Sequence, residues 1–190
     1  GEHAQAGAYR RGGACGLSVL TDGSFFGGSF DDLQAVCDAV DLPVLCKEFV
    51  YFPEQVECAC RAGADMVLLI ARALTDSELG ALYGRIEFLG MLPLVEVHRA
   101  EELARTRSLG CSVIMVNSRD LESLKIDRDE AARTLEATPT WITKILASGI
   151  ESRTDIEFFR GAGAETFLVG SALMRSTAPG EKIRELCDVR

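Results

Sequence analysis

Apolar residues in this chain fall into short blocks, most of them ending on a polar residue, a charged residue or a turn-forming glycine. The blocks are Gly16–Thr21, Val44–Lys47, Met66–Ile70, Leu92–Val97, Ser112–Asn117, Thr143–Ser148 and Thr166–Gly170. Rich in Val, Ile and Leu and largely non-alternating, they predict strands buried on both faces, as in a parallel sheet. Between them run helix-like stretches, five of which stop at Gly12-Gly13, Gly63, Gly90, Gly110 and Gly163. Glycine there supplies the left-handed residue that ends a helix. A strand every roughly 20–30 residues with a helix between is a βα repeat of the barrel or the doubly wound kind.

Helix starts carry their own signals. Thr75-Asp76-Ser77-Glu78 is a capping box, Pro53 and Pro179 sit in first turns, Ser29 precedes Phe30-Asp31-Asp32-Leu33, and Ser152 or Thr154 opens the helix through Phe159. The first apolar block follows a helix over residues 2–12, so seven strands are expected where a closed barrel has eight. The reading is one α/β domain over residues 1–190, N-terminally incomplete, with two unpaired edge strands and an open edge suited to self-association.

The 190 residues are 47% hydrophobic, enough for one core, and contain no linker-like tract. Apolar runs of at most about six residues are too short to span a membrane, and no export signal is evident, so a cytoplasmic protein is expected. Seven cysteines are scattered through the elements, and Cys58 and Cys60 point to different faces of one helix. That pattern fits reduced packing thiols, with neither a metal site nor a disulfide framework. A net charge of −9 argues against nucleic-acid binding, so an anionic ligand needs a local cluster to hold it.

In a barrel the chemistry lies at the C-terminal ends of the strands. Here those ends carry Lys47, Glu96, Asn117 with Arg119 two residues on, Ser148-Gly149, and Gly170-Ser171 before a short Ala172-Leu173-Met174 turn. A lysine and a carboxylate in one mouth can tune each other for acid–base work. The two serine–glycine turns, after the last two strands, match the recurring barrel phosphate site. Each residue also has a plainer reading. Lys47-Glu48 can be a solvated strand end, Glu96 can form a structural ion pair, and Arg119 can be a surface arginine. His98 shares the face of Glu96 by strand alternation but stands where a helix begins, which favours a capping role. Lys47 and Glu96 are expected to face the mouth within ion-pair reach.

At these residues the chain resembles the indole-3-glycerol phosphate synthase family of tryptophan biosynthesis, from about Ala8 to the C-terminus. The carriers are Leu17-Ser18-Val19-Leu20-Thr21-Asp22 with Phe25-Phe26-Gly27-Gly28-Ser29, Pro43-Val44-Leu45-Cys46-Lys47-Glu48-Phe49, Leu94-Val95-Glu96-Val97, Val116-Asn117-Ser118-Arg119-Asp120-Leu121, Ser148-Gly149-Ile150 and Leu168-Val169-Gly170-Ser171-Ala172-Leu173-Met174. The resemblance implies a (βα)8 TIM barrel and a carboxy-lyase acting without a cofactor. It would close an indole ring on 1-(2-carboxyphenylamino)-1-deoxyribulose 5-phosphate, releasing carbon dioxide and water. By resemblance, Lys47 is the general acid, Glu96 a catalytic carboxylate and Asn117 a substrate-orienting residue. Arg119, Ser148, Gly149, Gly170 and Ser171 would hold phosphate, and Phe26, Phe49, Leu68, Leu121, Ile150 and Leu168 would wall the anthranilate ring.

Two departures from the family pattern stand out. The family's first strand, with a second lysine, a glutamate and a phosphate-binding serine, has no counterpart here. Ala147 stands where the family has a glutamate. The alternative reading is therefore a catalytically impaired relative that binds phosphate ligands or acts as a partner subunit. Another phosphate-binding barrel enzyme is disfavoured by the motifs around Lys47 and Asn117.

Overall fold

The computed structural model describes residues 2–187. Its strands are β1 (Leu17–Leu20), β2 (Val44–Lys47), β3 (Met66–Ile70), β4 (Leu92–Val97), β5 (Val113–Asn117), β6 (Thr143–Ala147) and β7 (Thr166–Leu168), ordered along one sheet as in the chain. The helices are α1 (Glu2–Gly12), α2 (Phe30–Ala39), α3 (Pro53–Arg61), α4 (Asp76–Phe88), α5 (Leu103–Leu109), α6 (Arg128–Ala137), α7 (Arg153–Gly161), α8 (Ser171–Met174) and α9 (Pro179–Cys187). Short 3-10 turns lie at Ala71–Ala73 and Ala100–Glu102. All seven predicted strands form, within a residue or two of their predicted ends. The chain divides into two compact units, one running to Leu94 and including Ala178–Arg184, the other comprising Val95–Thr177 and the residues from Glu185.

In the first unit β1 pairs in parallel with β2, and β2 with β3. Leu33, Val56, Val67, Leu69 and Ile86 are completely buried and form its core. The helix ends follow the sequence signals. Gly63 and Gly90 take φ of 87° and 81°, a region where a side chain would strain the backbone. Thr75 Oγ1 accepts from the Glu78 amide at 3.3 Å while the Glu78 carboxylate accepts from the Thr75 amide at 2.8 Å. Helices α1 and α9 meet backbone to backbone. A Cβ at Gly12 would stand 2.8 Å from Gly180 Cα, and one at Gly180 would stand 3.0 Å from the Ala8 carbonyl oxygen.

In the second unit β4 pairs in parallel with β5, β5 with β6, and β6 with β7. Its core includes Ile114, Met115, Val116, Leu135, Leu146 and Phe159, all with zero exposure. Ser152, rather than Thr154, opens α7, and the Asp155 carboxylate accepts from the amides of Ser152 and Glu151 at 2.9 and 3.0 Å. Arg128 donates to the same carboxylate and lies 4.7 Å above the Phe158 ring. Burial works against the Asp155 charge, but Arg128 and these amides prevail and bring its pKa down from 3.8 to about 2.

The expectation of strands buried on both faces holds for β3, β4 and β5 but fails for β1 and β7. Ser18 and Leu20 are exposed on β1, and no residue of β7 is fully buried. Each is a terminal strand of the order, with a single strand neighbour among the described residues. Among the described residues no helix is long and apolar enough to cross a membrane.

Two outcomes follow for stability. Gly12→Ala forces backbone against backbone and should cost roughly 1–3 kcal/mol in chemical denaturation; an unchanged midpoint would contradict the close α1–α9 contact. The lowered Asp155 pKa gives stability that is fully present above about pH 4 and lost as the pH falls through about 2. Asp155→Asn should therefore destabilise by about 1–2 kcal/mol near pH 7, with the difference closing toward pH 2.

Candidate active site

Strand β4 carries a carboxylate into an apolar wall. Val95 and Val97 are completely buried, and Glu96 between them is 1% exposed. Burying that charge without compensation would cost several kcal/mol. Compensation comes from β5. Glu96 is in register with Met115, and two residues on, on the same face, Asn117 donates from Nδ2 to Glu96 Oε1 at 3.1 Å. The amide cannot turn round, because Asn117 Oδ1 accepts from the Arg119 backbone amide at 3.0 Å. The imidazole of His98, 4% exposed, places Nε2 3.3 Å from the same Glu96 oxygen.

The loop after β5 is a closed turn. Ser118 receives the Asp127 amide at 2.8 Å, Arg119 and Ile126 form an antiparallel bridge, and Asp120 Oδ1 accepts from Ser123 at 2.9 Å. The Arg119 guanidinium reaches back to this loop, donating from Nη1 to the Leu124 carbonyl at 2.9 Å. The loop also supports the turn after β6, where Ser148 and Gly149 are both left-handed, with φ of 69° and 72°. A Cβ on Gly149 would come within 3.0 Å of both Ser118 Oγ and Ile126 Cγ2, so position 149 excludes a side chain on two counts. After β7, Gly170 and Ser171 are exposed at the start of α8, whose first amides lie outside the helical ladder. Within this unit Leu121 and Leu168 are half-buried, and Ile150 is buried.

The other predicted residues belong to the first unit. Lys47 ends β2, half-buried and in register with Leu20. Glu48 is not part of a solvated strand end. It is buried, and its carboxylate accepts from Thr21 Oγ1 at 2.7 Å and from the Phe49 amide at 2.8 Å. Gln55 braces the loop that follows, donating to the Phe49 carbonyl and accepting from the amides of Tyr51 and Phe52. Phe26 is exposed, Phe49 half-buried, and Leu68 buried in the core. All seven cysteines are free thiols. Burial pushes Cys46 up to about 12 and Cys37 to about 11, which makes both unreactive near neutrality.

Sequence reasoning missed two contacts. His98 does not cap with its side chain. Glu102 does the capping, its carboxylate accepting from the His98 amide at 2.9 Å, and the imidazole is turned to Glu96. The signal was the shared face of positions 96 and 98, overridden by the nearby helix start. Glu48 bonds to Thr21 across two strands, which no local pattern announces.

Known proteins resemble this chain over nearly its whole length. The family model for indole-3-glycerol phosphate synthase matches residues 2–186. The chain is 46% identical over 179 residues to the indole-3-glycerol phosphate synthase of Mycobacteroides abscessus, covering 94% of this chain and 66% of that protein. It is 45% identical over 177 residues to that of Micrococcus luteus, covering 93% of this chain and 66% of that protein. Thus the chain spans just under two thirds of the length of these relatives. In fold it is similar to thiamine phosphate pyrophosphorylase from Pyrococcus furiosus, with a TM-score of 0.77 at 14% identity over 99% of this chain and 88% of that one. It is similar also to KGPDC from Streptococcus mutans, with a TM-score of 0.78 at 14% identity over 98% and 89% of the two chains. The fold is the βα barrel with seven of its strands present in the described residues, and the chain belongs to the indole-3-glycerol phosphate synthase family.

Proposed function

We propose that the protein containing this chain closes the indole ring of indole-3-glycerol phosphate, by decarboxylation and dehydration of 1-(2-carboxyphenylamino)-1-deoxyribulose 5-phosphate. The observation that carries the reading is the Glu96 carboxylate at the end of β4, buried yet held by an Asn117 amide whose direction is fixed. In this reading Lys47 protonates the ribulose carbonyl as the aromatic carbon attacks it. Glu96 stabilises the positive charge that develops in the ring system and assists the proton transfers. Asn117 keeps that carboxylate in place. The substrate phosphate sits between Ser148-Gly149 and Gly170-Ser171, with Arg119 fastening the loop beneath. Phe26, Phe49, Leu68, Leu121, Ile150 and Leu168 supply apolar surface for the anthranilate ring. No cofactor takes part.

We also propose that β1 pairs with a second copy of the chain. Leu17 and Thr21 donate their amides to Pro43 and Lys47 of the β2 side, at 2.9 and 3.4 Å. Alternation turns the Ser18 amide the other way, toward the side on which no strand lies among the described residues.

Product fluorescence from the carboxyphenylamino substrate tests the first proposal. Lys47→Ala and Glu96→Gln should each lower kcat by about two to four orders of magnitude. Turnover unchanged in either variant would remove that residue from the mechanism. Ala147→Glu should raise turnover, since it returns a carboxylate to the register position beside Asn117. Sedimentation tests the second. The chain should dimerise at micromolar concentrations and Ser18→Pro should be monomeric, because proline removes an edge donor without touching the β1–β2 bonds. A monomer at every concentration would contradict edge pairing.

A further inference from the structure

We infer that His98 is a positioning residue for the reaction, presenting an Nε2–H group to Glu96 and so fixing the plane of that carboxylate. The inference rests on the assignment of Glu96 to the chemistry. Two side-chain contacts of the carboxylate fall on one oxygen. Asn117 Nδ2 reaches Oε1 at 3.1 Å and His98 Nε2 stands 3.3 Å from it. A carboxylate oxygen bonded by an amide on one side and approached by a buried imidazole on the other has little room to rotate, which is what a proton-transfer group requires. The rest of His98 is committed elsewhere. Its backbone amide is taken by Glu102, and its ring is 4% exposed, so it serves neither as a cap nor as a solvated surface group.

The surroundings favour this pairing over others. His98 lines a cleft of about 650 Å3 with Arg99, Asn117, Ser118, Asp120, Lys125 and Arg128 among its neighbours. Two acidic groups near it are already answered. Asp120 lies 3.8 Å from Arg99, and Glu102 accepts the His98 amide. Arg128 is committed to Asp155. Glu96 is the carboxylate whose oxygen lies 3.3 Å from the imidazole, and a buried negative charge gains most from a proton-bearing neighbour at that range.

Nitrogen-15 NMR of the His98 ring, assigned with a His98→Gln sample, tests the contact without any need for turnover. At neutral pH Nε2 should show the shift of a protonated nitrogen, and Glu96→Gln should abolish that preference. A bare Nε2 in the native chain, or a shift unaltered by Glu96→Gln, would overturn the inference. Kinetics test the role. His98→Leu should lower kcat about ten- to a hundredfold with KM changed less than about twofold. His98→Gln, which keeps an N–H at the reach of Nε2, should restore most of the loss. Equal losses in both variants would reduce His98 to a packing residue. Undiminished turnover in His98→Leu, with Glu96→Gln inactive, would overturn this inference alone. Undiminished turnover in Glu96→Gln would overturn the catalytic reading of Glu96 and this inference with it.

Discussion

A carboxylate that is 1% exposed between two valines is the constraint around which the second unit is arranged. Such a charge survives only where polar groups are brought to it in fixed directions. The parallel register of β4 and β5 puts Asn117 within reach, the Arg119 amide sets which end of the Asn117 side chain faces Glu96, and His98 arrives by alternation along β4. The consequences extend beyond the carboxylate. Arg119 begins the loop that the Arg119–Ile126 bridge and the Asp127–Ser118 bond close. Ser118 and Ile126, fixed by that loop, fill the space beneath Gly149. The carboxylate and the turn assigned to phosphate thus share one support, so disturbing the loop disturbs both.

The first unit solves a related problem at the end of β2. Glu48 is buried beside Lys47, and its charge is met by Thr21 from β1's end and by the Phe49 amide. Gln55 then ties the following loop to the start of α3. Lys47 therefore stands at a strand end whose neighbours are tied down on both flanks, which suits the proton-donating role proposed for it.

Much of the fold was legible in the sequence because its signals are local. Gly13, Gly63, Gly90, Gly110 and Gly163 all take the left-handed conformation their positions suggested, and Thr75, Ser29 and Ser152 open their helices. Glu96 and Asn117 were legible as polar ends of apolar strands. Contacts set by tertiary packing were not. Alternation could place His98 on the face of Glu96, yet only packing decides whether an imidazole at a helix start turns outward to cap or inward to a charge. The Thr21–Glu48 bond and the lighter burial of β1 and β7 likewise depend on which strand lies beside which. Arg119, assigned to phosphate by resemblance, is seen bonding to the Leu124 carbonyl of its own loop. Ala147 is buried at 2% in register with Asn117 and Leu168, so a methyl group stands between two residues proposed for the site.

The central claim is that one face of this barrel end holds the phosphate of an indole glycerol phosphate and presents Glu96 to its ring. The most direct measurement is a crystal structure of the chain with indole-3-glycerol phosphate bound. The account predicts the phosphate within hydrogen-bonding distance of the Ser148-Gly149 and Gly170-Ser171 backbone and the indole ring against Glu96. A phosphate bound elsewhere, or a ring that leaves Glu96 untouched, would contradict it.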